Sequence, residues 1–266
     1  MRNGEKNGAN NGANFIRKNV TSTLLFGAAA FLALFALWAI AYFSVRNEFL
    51  VPSLKDTLCS FGTLFKEKEF FVSYGNTLLR VVKAFLISFL PALICGVAAY
   101  VCPPVKKIFA VAVAALRSLP TMAVLLMILV WSTPGKAPVI VAFLSLFPLL
   151  YTGVINALSS VDEKYKKVCR VYRVPVYRQI FSMYLPQSLP YMLRDGGSAL
   201  SFGVKLVVSA EVVSYTFKSM GGLMQDAKIY LDMPRLFALT LFAVLTGLVF
   251  ETIGNLLAVA AERRVK

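Results

Sequence analysis

Residues 236–261 read LFALTLFAVLTGLVFETIGNLLAVAA, with Glu251 as the single charge. A bilayer core about 30 Å thick is crossed by about 20 apolar residues in a helix. A second run, LLFGAAAFLALFALWAIAY at Leu24–Tyr42, has the same character. The chain is 58% hydrophobic with a mean hydropathy of +0.69, against about 45–50% apolar residues in an ordinary soluble domain. A helix satisfies its own backbone hydrogen bonds in lipid. The composition therefore predicts an all-α integral membrane protein.

Working outward from these runs, the sequence predicts six transmembrane helices. Met1–Asn14, MRNGEKNGANNGAN, is polar and rich in Gly and Asn, and residues 1–20 are expected to be disordered. The run at 24–45 is too long for a signal-peptide core and is taken as the first span. Leu54, Leu58, Phe61 and Leu64/Phe65 recur at helical spacing, so a short amphipathic helix is expected on the membrane surface. The second span is placed at Thr77–Val101. The third, Val105–Trp131, should break at Pro120 into an interfacial elbow and a span beginning near Leu119. Pro138–Leu158 is the fourth. After a loop at 159–194 come the fifth, Asp195–Phe217, a polar loop containing Gly221-Gly222, and the sixth, Pro234–Ala261. Residues 21–266 are thus expected to form one transmembrane domain.

The chain has a formal net charge of +15. Such a balance can signal nucleic acid, but here it follows the topology. Six spans put both termini on one side. Lys and Arg outnumber those on the other side by about two to one, which makes the termini side cytoplasmic. No nucleic-acid partner is expected; membrane lipid is. The chain has no His, and Cys59, Cys95, Cys102 and Cys169 show no CxxC spacing. Triad catalysis that uses His is excluded, and no metal site is expected.

Within the loop, Tyr165, Val168, Cys169 and Tyr172 fall at i, i+3, i+4 and i+7. They form one apolar stripe on a helix at about 162–172. Asp162 and Glu163 stand at its start, where acids suit the helix dipole. A second helix is expected after Pro175, ending in Leu185-Pro186-Gln-Ser-Leu189-Pro190. The stripe must bury against the membrane interface or a cytoplasmic partner, and spacing alone does not choose.

The run VDEKYKKVCRVYRVPVYRQIFSMYLPQSLPYML at 161–193 resembles the EAA loop of bacterial ABC importer permeases, and most of all the nitrate/sulfonate/taurine type. Val51-Pro52-Ser53 resembles that type's LPSP. Leu116-Arg117-Ser-Leu-Pro120 through Trp131 resembles its LRPIP…W helix. Ala210-Glu211 followed by Gly221-Gly222-Leu223 resembles its AE…GLG segment. The ordered set covers about residues 24–266. The resemblance implies a type I importer permease in the bacterial cytoplasmic membrane, with a cytoplasmic coupling helix. It also implies a separate ATPase subunit and an extracytoplasmic binding protein, with a homodimer as the simplest pathway. The departures lie in the loop. Lys167 stands where that family has Glu, Val168 and Cys169 replace two Ala, and Arg173 replaces Gly. The docking element therefore carries reversed charge. Either its ATPase has a more acidic groove or Glu163, one turn earlier, takes over the polar contact. Leu185-Pro186 keeps the family's ending.

No GxxxxGK[ST] pattern occurs, so ATP is expected to be hydrolysed by the partner subunit, and this chain needs no cofactor and performs no catalysis. Charges at membrane depth cost about 3 kcal/mol and invite a functional reading. Lys205, Glu211, Arg117 and the break at Pro120 are therefore candidates for the translocation path. A structural contact for Glu211 and snorkelling for Arg117 are equally open. With Arg117, Lys205 favours an anionic solute. Gly196, Gly203 and Ala210 repeat every seven residues and suggest a close helix contact. The rival reading is a secondary transporter driven by an ion gradient. It would need inverted repeats and clustered midplane acids, and neither is seen.

Overall fold

The computed structural model describes residues 36, 38–40, 42–44 and 51–265. The first span and the disordered N-terminus expected above lie outside the described residues, apart from helical fragments at 36, 38–40 and 42–44. The chain divides into two units, Met1–Asp56 and Thr57–Lys266. In the first, the Trp38 indole donates to the Pro52 carbonyl at 3.3 Å, and the Ser53 hydroxyl accepts from the Asp56 amide at 3.1 Å. The second unit carries the bundle.

Every regular element among the described residues is helical. α1 is Leu54–Leu64, the short amphipathic helix the sequence predicts. Its C-terminal part is fastened by rings rather than resting on lipid alone: Phe61 and Phe65 pack on Phe242, which Phe70 and Tyr74 meet edge-on at 4.9 Å. This cluster also explains why α2, Lys68–Val101, starts well before the expected Thr77. Phe70, Ser73 and Thr77 are buried, so packing extends the helix past its apolar run. The ion pair between Arg235 and Glu67, at 2.7 Å, closes the same corner.

Pro103 opens α3, Pro103–Ser118, and α4 is Thr121–Trp131. The two meet at 90°. Leu119 and Pro120 are extended there, because a residue before proline is pushed out of the helical region. α5, Ala137–Ser159, is the central helix, and Leu146, Leu150 and Tyr151 are buried on it. α6 is Glu163–Val171. α7 then runs unbroken over Val176–Ser214, which corrects two expectations: the second loop helix does not end at Leu185–Pro190, and the fifth span does not begin at Asp195. A π segment at Ile180–Tyr184 precedes Pro186, and the Leu185 amide bonds the Ile180 carbonyl. The wider turn makes room for proline at the start of the α-helical part. The Gly221-Gly222 stretch is likewise not a loop but the start of α8, Met220–Ile229, capped by the Ser219 hydroxyl. α9 is Met233–Val265. Among the described residues four helices are long and apolar enough to cross a membrane, five if the bent pair α3–α4 counts as one span, against the six expected with the first outside the described residues.

α7 and α9 cross closely. A Cβ on Gly197 would lie 2.7 Å from the Gly254 Cα, and one on Gly254 would lie 2.5 Å from the Gly197 Cα. The heptad set named from sequence is less demanding, since Cβ atoms on Gly196 and Gly203 would make ordinary contacts at 3.7 Å and 3.5 Å. Gly197→Ala or Gly254→Ala should force the backbones apart at about 1–3 kcal/mol, whereas Gly203→Ala should be tolerated. Thermal unfolding of the purified protein checks this; equal melting temperatures for all three variants would contradict the crossing.

Candidate functional site

The loop between α5 and α7 is built around α6. The Asp162 carboxylate accepts the Lys164 amide at 2.9 Å and starts the helix. At the other end the Val174 amide reaches back to the Cys169 carbonyl at 3.0 Å, across Arg173 with φ 47°. That is the closure glycine usually provides, because a residue past the helix end turns left-handed. Arg173 therefore holds a conformation that the Gly of the resembled motif adopts without steric cost.

One face of α6 is tied to the bundle. Lys166 donates to Glu163 at 3.0 Å, and its side chain is 16% exposed. The bond to Glu163 holds the Lys166 ammonium above the usual lysine range, and burial acts against it. The rings of Tyr100, at the end of α2, and Tyr184 meet edge to face at 5.2 Å. The Cys169 thiol lies 3.4 Å from the Met183 sulfur. Tyr184 and Met183 belong to the π segment. The Gln179 side-chain amide donates to the Val174 carbonyl at 2.6 Å, which fixes the turn into α7.

The other face is open. Tyr165 and Val168 are about half exposed, and Val171 and Tyr172 are 78% and 77% exposed. Lys167 and Arg173 are exposed beside them. The predicted stripe is therefore split: Cys169 turns inward and the rest faces away from the bundle. Leu185 and Pro186 are not on this surface. They line an apolar groove between α2, α7 and α9.

The membrane charges are held differently. Glu211 is fully buried. It accepts from Arg80 and Thr77 on α2, both at 2.8 Å, and from the Gly221 amide at 3.2 Å. The Thr77 hydroxyl in turn accepts the Met220 amide at 2.9 Å. The carboxylate thus sits at the α8 N-terminus, where the helix dipole favours an anion. A Cβ on Gly221 would lie 2.4 Å from the Glu211 Cβ, so only glycine lets α8 approach this closely. Arg117 donates to the Thr152 hydroxyl at 2.7 Å and the Pro148 carbonyl at 3.3 Å, which ties the elbow next to Pro120 onto α5. Lys205 is exposed and lines a groove of about 590 Å³ with Ser201, Ser209, Thr240, Met122 and Met224. Lys205, Glu211 and Arg117 therefore do not share one cavity. Sequence reading missed Arg80, Thr77, Lys166, Tyr100 and Tyr184. Arg80 did carry a signal, since a guanidinium inside an apolar span needs a carboxylate partner.

The family of binding-protein-dependent transport system inner membrane components matches residues 84–266. Among solved structures, the fold resembles the MetNI methionine ABC transporter in inward-facing conformations, with a TM-score of 0.63 and 16% identity over 70% of this chain and 93% of that chain. It also resembles an amino acid ABC transporter with histidines, with a TM-score of 0.59 and 16% identity over 78% of this chain and 96% of that chain. No curated protein matches the sequence. With a match over more than half its length and the permease fold around it, the chain belongs to the family of binding-protein-dependent transport system inner membrane components, the membrane-spanning permeases of ABC importers.

Proposed function

We propose that α6 is the coupling helix through which a cytoplasmic ATPase subunit drives this permease, and that an extracytoplasmic binding protein delivers the solute. The observation that carries this reading is the two-faced character of α6. One side turns inward at Lys166 and Cys169, while Tyr165, Val168 and Tyr172 stay exposed on the other. An apolar stripe fixed in place but left uncovered is what a partner groove would bury. Both termini then lie on the cytoplasmic side with α6. Two copies of the chain form the pathway, which alternates between inward- and outward-open states. Lys167 and Arg173 beside the stripe match a groove richer in acid than the family's usual one.

The substrate class rests on Lys205. A single ammonium among Ser201, Ser209 and Thr240 in an otherwise apolar groove suits a small anion with an apolar body, such as a sulfonate. The resemblance to nitrate/sulfonate/taurine permeases points the same way. The methionine and amino acid transporters share the fold at 16% identity, too distant for their substrates to be carried over.

Three outcomes follow. Val168→Glu with Tyr172→Glu should abolish co-purification of the cognate ATPase subunit, without lowering the permease's own melting temperature; an intact complex would rule out the stripe as the docking surface. Arg173→Gly should stabilise the isolated permease by about 1 kcal/mol, by releasing the left-handed strain, and a lower melting temperature would refute that reading of the helix end. Lys205→Ala should weaken uptake of an anionic solute at least about tenfold while Lys205→Arg retains it; uptake unchanged in both would remove Lys205 from the pathway.

A further inference from the structure

A second basic site lies at the end of the bundle opposite α6. A cavity of about 500 Å³ opens between α2 and the turn from α4 into α5. α2 lines it with Asn76, Arg80 and Lys83, which fall at i, i+4 and i+7 and so share one helix face. Lys136 faces them from the turn, and Leu79 and Ile140 supply apolar wall. No carboxylate lines this cavity. Glu211 lies behind it and is matched by Arg80.

The cations here are under-used. Among the described residues, Arg80 makes a single hydrogen bond, from Nη1 to Glu211, and a guanidinium has five donors in a planar fork. The Lys83 and Lys136 ammonium groups make neither an ion pair nor a hydrogen bond with the described residues. Lys83 lies about 27 Å along α2 from Val101 at 1.5 Å per residue, close to the full thickness of a hydrocarbon core. Arg80 and Lys136 then stand at the far headgroup boundary. With Glu211 already matched by Arg80 and no other carboxylate lining the cavity, the charges of Lys83 and Lys136 are left to attract an anion at that boundary.

We propose that this cavity binds an oxyanion, gripped by the free side of the Arg80 fork and neutralised by Lys83 and Lys136. A fork fits the paired oxygens of phosphate or sulfonate, and two flexible ammonium groups close around it as point charges. The chemistry is shared by a lipid phosphate, whose acyl chains would lie along Leu79 and Ile140, and by a free oxyanion arriving from the aqueous side. The site is separate from the Lys205 groove and does not depend on how the ATPase docks.

The test uses the full-length protein in nanodiscs and the double variant Lys83→Gln/Lys136→Gln. Both side chains are exposed, so the fold should persist, and thermal unfolding verifies it. Arg80 is left intact because it holds Glu211. A second double variant, Lys106→Gln/Lys107→Gln, removes the same charge at the other end of the bundle. In one arm, retention of phosphatidylglycerol against phosphatidylcholine is read by native mass spectrometry. In the other, inorganic sulfate is titrated in phosphatidylcholine discs and the melting temperature followed. Wild type and the 106/107 variant should bind alike. The 83/136 variant should bind about thirtyfold more weakly, roughly fivefold for each lysine near the membrane surface. A loss confined to phosphatidylglycerol identifies a lipid headgroup, and a loss confined to sulfate identifies a soluble oxyanion. Absence of binding in wild type in both arms, or equal loss in the two double variants, would overturn the proposal.

Discussion

A carboxylate without water must be surrounded by donors or give up its charge, and Glu211 meets that condition by drawing three helices to one point. Thr77 and Arg80 come from α2, the Gly221 amide from α8, and the acid itself from α7. Removing one partner of such a buried pair costs about 3–5 kcal/mol, because the other charge is left stranded. Much of the geometry at this end follows. Gly221 is needed so that the α8 backbone can reach the acid, and α8 must be a helix there because its first amides are what the carboxylate and Thr77 engage.

The opposite end is fastened by weaker contacts. Tyr100 of α2 meets Tyr184 of α7 ring to ring, and Cys169 of α6 rests on Met183 of α7. Each is worth about 1 kcal/mol or less in net terms. The attachment point on α7 is its π segment, where the helix has already surrendered ideal geometry to admit Pro186. On the proposed coupling, a push on α6 would be delivered to the part of α7 with the least regular backbone.

The sequence made the bundle readable because apolar runs of 20 or more residues have few other uses. The break at Pro120 was legible for a local reason, the proline ring acting on Leu119. The α6 stripe was legible from its 3.6 period. What was not legible depends on distant partners. Lys68 to Asn76 reads as polar surface, yet Phe242, far along the chain, organises Phe70 and Tyr74 into helix. Gly221-Gly222 reads as a loop until Glu211 supplies the reason for the glycines. Leu185-Pro186 reads as a helix stop, and only the extra residue of the π turn lets the chain continue. Arg173 in place of Gly was visible as a departure, but its meaning required the φ angle.

α2 and α7 share both fastenings. Tyr100 and the Thr77–Arg80 pair lie on α2, and Tyr184 and Glu211 lie on α7. Two helices pinned to each other at both ends cannot easily slide or splay, so they behave as one rod. α9 crosses that rod at Gly197–Gly254 with backbones in contact, which adds a third fixed point. The elbow is held more lightly. α4 packs Leu125 and Ile128 against Val141 and Ala210, and Arg117 ties the bend to α5 by hydrogen bonds from one nitrogen, Nη2. A right-angle joint at Leu119–Pro120 absorbs a change in φ and ψ without breaking a continuous helix, as hinges at element ends do. On the proposed mechanism, force received at α6 therefore moves the α2–α7–α9 group as a body, and α3–α4 is the element that must yield for the Lys205 groove to open and close.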